Sequence, residues 1–404
     1  MLPLIPKISK IHIDPVDFSL LKSLKGKRVI LTPNHAEMKE PYVVFALSRM
    51  LREEFNYLTA REVFEDYFPA GRLLQSLGCY SVLRGAPDRN ALRVTTEILV
   101  EGKHWLVIFP EGVAMGLGDA LMPFQPGMGQ FAFRAYDELR KEGKDFAILF
   151  VPMAIKTFYT QHMDNSIDRA LARLEMKLLP GTNQKKKDHQ GRLLALGEAL
   201  LGSREQEYSV IPRPGASLSE RIKFMRELII TTTATQIGLQ DHPDQIVPDR
   251  LRDLANALDK IVHQHDHNEE PFQESLGPWR KQAKALRRRL ETAANFMALD
   301  PCYLDSQMTT ERFLDLVGLL EREVFGARRF WGQRKAVIKV GKPVDLADFA
   351  GHYRISKKEA FQAVSRTLEA KVREMLVELS ARSVPMSLAK KSRRLSAGKD
   401  QDFE

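Results

Sequence analysis

The sequence predicts an α/β fold: a mixed, mainly parallel sheet covered by helices, with a long helical insertion before the last strand. Three observations carry that expectation. Short apolar runs bounded by Gly, Pro or Asn alternate with helix-period segments between residues 25 and 160. Strand-like runs then disappear from 161 to 333, where long charged segments of helical period take over. One apolar run, KAVIKVG at 335–341, returns close to the end.

The first strand candidate is RVIL at 28–31, followed by runs at 57–59, 80–83, 105–109 and 146–151, each short and rich in aliphatic or β-branched residues. Helices are expected between them over 41–53, which opens with proline in its first turn, over 88–101 and over 127–141. In the helical region the segments 217–238, 248–263, 276–298 and 309–325 are punctuated by IPRPGAS at 211–217 and SLGPW at 275–279. A strand returning after such an interruption re-enters the first sheet, and a final helix follows over 357–380. The expected organisation is an N-terminal segment over 1–26, a core over 27–160, the helical insertion over 161–333, the return over 334–382 and a disordered basic tail over 383–404. The stretch FSLLKSL at 18–24, with Lys22, Lys25, Lys27 and Arg28 around it, reads either as a short interfacial helix or as ordinary packing against the sheet.

With 44% hydrophobic and 28% charged residues among 404, the composition is that of a core-forming chain and excludes disorder as the dominant state. A formal charge of +9 directs attention to anionic partners: a membrane surface, a phosphate-bearing substrate, a coenzyme or nucleic acid. Cys79 and Cys302 are far apart and have no metal-type spacing, which suits a reducing compartment. No run of 18 apolar residues occurs, and the N-terminus has proline and charge where a signal peptide needs an apolar core. The expected location is cytoplasmic, peripherally associated with the inner face of a membrane.

Four short strings could carry chemistry. In NHAEMKE, His35 follows a strand end, where α/β proteins place their ligands, and Glu40 stands five residues on at the mouth of a helix. A carboxylate there can turn back to one imidazole nitrogen, fix the tautomer and leave the other nitrogen as a base. The competing reading is a capping loop in which Asn34 or Glu40 bonds free N–H groups. In GCYSVLRG, Arg84 closes an apolar strand and could clasp a phosphate or simply be solvated. Phe109-Pro110-Glu111-Gly112 follows the run WLVI, with Gly112 able to bring backbone close to a ligand. Val151-Pro152 ends another apolar run.

In this order and spacing the four strings resemble the glycerolipid acyltransferase family, which includes glycerol-3-phosphate and lysophosphatidic acid acyltransferases. That family's blocks are Asn-His, four residues and an acid; a glycine and an apolar stretch closing on arginine; Phe-Pro-Glu-Gly; and a Val-Pro pair on a strand. VGKP at 340–343 is similar to its late Gly-x-Pro strand. The resemblance covers about 25–160 and 335–380. It implies that His35 is the general base on an acceptor hydroxyl and that Glu40 orients it. It also implies that Asn34, Arg84, Glu111, Gly112 and Pro152 form the substrate-binding surroundings. The donor would be acyl-CoA or acyl-carrier protein as co-substrate, with no cofactor and no metal. The acceptor would be glycerol-3-phosphate or lysophosphatidic acid in phospholipid biosynthesis. A lysophospholipid acceptor is the alternative, and a catalytically silent lipid-binding or scaffold protein of the same fold is the rival from another class. Three departures stand out: Glu40 where the family has aspartate, Val113-Ala114-Met115-Gly116 where it has threonine and arginine, and the helical insertion itself.

The string HQHDHNEE at 263–270 looks like a metal site, but a solvated helix end accounts for it better. The basic runs at 185–187 and 281–289 read as exposed faces; any partner for them would be anionic lipid or an acidic acyl carrier rather than nucleic acid.

Overall fold

The computed structural model describes residues 7–37, 39–66, 70–83, 88–112, 114, 116–143, 146–182, 184, 187–264, 276–298 and 308–386. The central strand, β2 (Arg28–Pro33), is buried along nearly its whole length, as a strand covered on both faces must be. Its side chains alternate between two cores: Ile30 points into one, while Val29 and Leu31 point into the other. Around it run β1 (Ile8–Ile13), β3 (Phe55–Ala60), β4 (Cys79–Val82), β5 (Trp105–Val107), β6 (Ile148–Tyr159), β7 (Arg334–Val340) and the short β8 (Val344–Asp345). The order across the sheet is β1-β7-β6-β2-β5-β3-β4, with β8 also on β6. From β6 through β4 the neighbours are parallel, whereas β7 and β8 run antiparallel to β6, and β1 runs parallel to β7. The sheet is therefore mixed and mainly parallel, as predicted.

Helices α1 (Pro15–Ser23) and α2 (Glu40–Leu51) cover one face, burying Leu21, Val43, Val44 and Leu47 completely. On the other face lie α5 (Arg89–Glu101), α6 (Gly127–Lys141) and α14 (Lys357–Ser380). Each fully buried aliphatic side chain in these layers contributes about 1.5–3 kcal/mol. Local chemistry sets the helix ends. Asp88 accepts the Ala91 N–H at 2.8 Å at the start of α5, and Gly102 ends it in the left-handed region at φ +66°. Two short helices, α3 (Arg61–Asp66) and α4 (Ala70–Ser76), link β3 to β4.

Between β6 and β7 lie α7 (Asp164–Leu178), α8 (His189–Glu207), α9 (Leu218–Gln236), α10 (Val247–Gln264), α11 (Leu276–Ala298) and α12 (Thr310–Phe325), which share a core of their own. After β8 come a 3-10 turn at Leu346–Phe349, α13 (Ala350–Ile355) and α14.

The strand and helix bounds expected at α6, α11 and α14 coincide with those observed. Two differences have physical reasons. The strand expected over 105–109 stops at Val107 because Pro110 begins a turn, although the Ile108 N–H still reaches Leu31 O at 3.0 Å. Conversely, β6 continues through Pro152 to Tyr159, since β2 and β7 pair with it on successive halves. Strand β1 lies in a stretch for which no strand was expected, and α7 and α8 fall within the expected helical insertion without having been delimited individually. The segment at 18–24 packs: Leu21 and Leu24 enter the core beneath the sheet.

Among the described residues, no helix is long and apolar enough to cross a membrane, and no group of three or more metal-capable side chains assembles. Of the string 263–270, residues 265–270 lie outside the described residues, as do Arg84 and Cys302; Cys79 is buried and unpaired by disulfide.

Candidate active site

The loop from Asn34 to Lys39 leaves the carboxyl end of β2 at the centre of the sheet and leads into α2. Its geometry begins with Asn34, which has no solvent exposure. The side-chain oxygen of Asn34 accepts the Ile155 N–H at 2.7 Å and its nitrogen donates to Ile155 O at 3.1 Å. Both ends of the amide are thus committed to β6 backbone, and Asn34 acts here as a clamp between strands rather than facing a ligand.

The next residue, His35, is held from below and from the side. Its backbone N–H donates to Glu111 Oε1 at 2.5 Å, and the other Glu111 oxygen accepts the Met122 N–H at 2.7 Å. Glu111 is 1% exposed, and burial pushes its carboxyl up to about 7 against the pull of those two backbone bonds. Glu111 therefore ties the Phe-Pro-Glu-Gly turn to the His35 loop through backbone groups. The imidazole of His35 lies against Phe109, ring centroids 4.6 Å apart.

Glu40 opens α2 and is 3% exposed. Its Oε2 accepts the Glu37 N–H at 2.8 Å and stands 3.5 Å from His35 Nδ1. That separation is at the outer edge of hydrogen bonding, and Nδ1 is buried with no other hydrogen-bond partner among the described residues. Catalytic contacts in unliganded sites are often loose in this way. Burial raises the Glu40 carboxyl above its ordinary value, and the imidazole beside it pulls in the opposite direction.

Gly112 is favoured by its backbone, and a side chain there would also displace the end of Gln125. The φ of Gly112 is +72°, and a Cβ there would sit 2.0 Å from Gln125 Nε2, which donates to Glu111 O at 3.3 Å. Gly112 and His35 both line an open groove of about 1920 Å³ along α2 and over β3. Tyr42, Phe45, Phe109, Met128 and Phe131 are among the apolar residues that line it, and Arg49 and Arg52 line it where α2 ends.

Of the residues singled out from the sequence, the structure gathers His35, Glu40, Glu111 and Gly112. Pro152 is buried on β6 beside Thr32, away from the groove lining, and its carbonyl accepts the Gly341 N–H at 2.8 Å. It shapes the sheet behind the loop. Arg84 lies outside the described residues. Sequence reasoning missed the charged groups around Glu37, namely Lys39, Arg328 and Arg334. Glu37 and Lys39 were visible as alternating charges, but nothing in the sequence ties them to arginines almost three hundred residues away.

An α/β sheet with a histidine–carboxylate pair at the end of its central strand, beside an apolar groove, is suited to general acid–base chemistry on a ligand held in that groove. Residues 16–156 match the family model described as Acyltransferase, so this stretch of the chain is similar to an acyltransferase domain. The match ends at Lys156, before the six helices α7–α12. A search of curated proteins returned no match.

Proposed function

We propose that this protein moves a fatty acyl group from a thioester, acyl-CoA or acyl-carrier protein, onto the hydroxyl of glycerol-3-phosphate or lysophosphatidic acid. The observation that carries the reading is the pairing of His35 Nδ1 with the buried Glu40 carboxylate at 3.5 Å, on the wall of an apolar groove. With Nδ1 turned to Glu40, the other ring nitrogen takes the proton of the acceptor hydroxyl as its oxygen attacks the thioester carbonyl. The tetrahedral intermediate collapses, the C–S bond breaks, and the imidazolium returns its proton to the departing sulfur as free thiol. Glu40 steadies the charged ring between these two transfers. The apolar groove walls accommodate the acyl chain, and acceptor phosphate is assigned to Arg84.

Purified protein supplied with acyl-CoA and either acceptor should release free thiol, and His35→Ala should lower the rate by a factor on the order of 10³ or more. Equal thiol release from wild type and His35→Ala with every acceptor tried would refute the catalytic assignment.

A further inference from the structure

We infer that Arg328 and Arg334 are positioning residues for the His35–Glu40 pair, acting through Glu37, so that the segment returning from the helical region braces the reactive loop. This rests on the reading of His35 as the base. Glu37 stands between the two dyad members in sequence, is 6% exposed, and makes two separate connections. Its backbone N–H holds Glu40 Oε2 at 2.8 Å. Its carboxylate is gripped by Arg328 at 2.8 Å, by Arg334 at 3.2 Å and by Lys39 at 2.7 Å. Arg334 is itself fixed by Thr157 at 3.2 Å and by the hydroxyl of Tyr159. A shift of the Glu37 carboxylate therefore moves the peptide group that aims Glu40 at the imidazole.

A second connection runs through α12 to the same loop. Asp315 accepts the Gly118 N–H at 2.9 Å and lies 3.6 Å from Arg328. Two residues earlier, the Gly116 N–H donates to Ala36 O at 2.7 Å, and a Cβ on Gly116 would meet Leu319 of α12 at 3.2 Å. Lys39 lies 4.8 Å from the centroid of the Phe330 ring, which closes the cluster on its outer side. The cluster thus places three cations, Lys39, Arg328 and Arg334, around two carboxylates, Glu37 and Asp315. Burial drives the Glu37 carboxyl up, but Arg334, Arg328 and Lys39 together hold it well below the usual range, so it stays ionised and gripped.

A buried ion cluster can equally be no more than glue between two layers, and removing one partner destabilises it in either case. The two roles separate in catalysis. Arg328→Gln should lower kcat by roughly 10- to 100-fold with KM within about twofold, because a misplacement of about 1 Å costs up to ~10²-fold. Arg328→Lys, which keeps the charge, should recover most of the rate. The control is Arg192→Gln, which removes a buried guanidinium bonded to Glu175 at 2.7 Å and to the half-exposed Asp168 at 2.7 Å, between α7 and α8. It should lower thermal stability without changing kcat at a temperature where the protein is folded. The His35 ring resonances, followed by NMR, should shift in Arg328→Gln and stay in place in Arg192→Gln. Unchanged kcat and ring resonances in folded Arg328→Gln would overturn the inference, as would equal loss of kcat in the control. If wild type releases no thiol at all, the acyl-transfer reading falls by itself, and the ring resonances still decide whether Arg328 positions His35.

Discussion

Replacing Asn34 tests the claim that part of the most recognisable motif in this chain is scaffolding. In the folded protein its amide bonds both the N–H and the C=O of Ile155, 121 residues away, with no water access. Asn34→Ala leaves one buried donor and one buried acceptor unpaired, each costing about 1–3 kcal/mol, so the expected loss is roughly 2–6 kcal/mol. Asn34→Asp is more informative. An ionised carboxylate can accept from the Ile155 N–H but must face the Ile155 carbonyl with a second negative oxygen. Its protonated form can donate to that carbonyl and restore both bonds. Burial and the carbonyl raise the pKa of the introduced group above the ordinary aspartate value of about 3.9. The native state then binds a proton that the unfolded chain has already released, so stability relative to wild type falls as pH rises from about 4 through that raised pKa. Urea unfolding at a series of pH values, with wild type measured beside each variant, reads this directly. A loss below about 1 kcal/mol for Asn34→Ala, or a wild-type-minus-Asn34→Asp difference flat with pH, would refute the clamp.

Two further outcomes follow from the neighbouring carboxylates. Burial holds the Glu111 carboxyl at about 7, above its unfolded value, so its contribution to stability is greatest at acid pH and declines as pH rises from about 4.5 to 7. Glu111→Gln should remove that decline, an effect of up to about 3 kcal/mol across the window in paired urea titrations, and an unchanged pH slope would contradict it. Glu40→Asp installs the acid common in the resembling family but withdraws the carboxylate by about one bond length, ~1.5 Å, from a ring already 3.5 Å away. The loop here is built for the longer side chain, so kcat should fall by roughly tenfold or more with KM little changed; a rate equal to wild type would show that the loop adapts.

The sheet was legible in the sequence because its strands are buried on both faces and so read as unbroken apolar runs, RVIL on β2 being the clearest. Pairing was not legible. That β7 enters beside β6 in antiparallel register, Ile155 opposite Ile338, depends on contacts across more than 180 residues. β1 escaped because ISKIHI shows exposed and half-buried positions along an edge strand and lacks an unbroken apolar run. In the site, the local part was readable: His35 and Glu40 share five residues of chain and the mouth of one helix. Glu111 was found by its motif, but the task the structure gives it differs from the one expected. Its two oxygens are spent on the His35 and Met122 N–H groups, a use that follows only from where the turn folds.

Three buried carboxylates surround one histidine, and their environments push them apart. Glu37, gripped by two arginines and a lysine, is held well below the usual range; Glu40 and Glu111, without such partners, are pushed up by burial. The ionised forms of Glu40 and Glu111 are therefore the costly ones, and a positive charge on His35 offsets that cost. In the proposed reaction that charge exists only between proton uptake from the acceptor and proton return to the leaving thiol. Electrostatic stabilisation is then concentrated where the barrier lies, as differential binding of the transition state requires. The strongly ionised Glu37 serves the opposite purpose. Its charge is neutralised by fixed cations and holds the loop's shape, leaving the softer pair to respond to the ring.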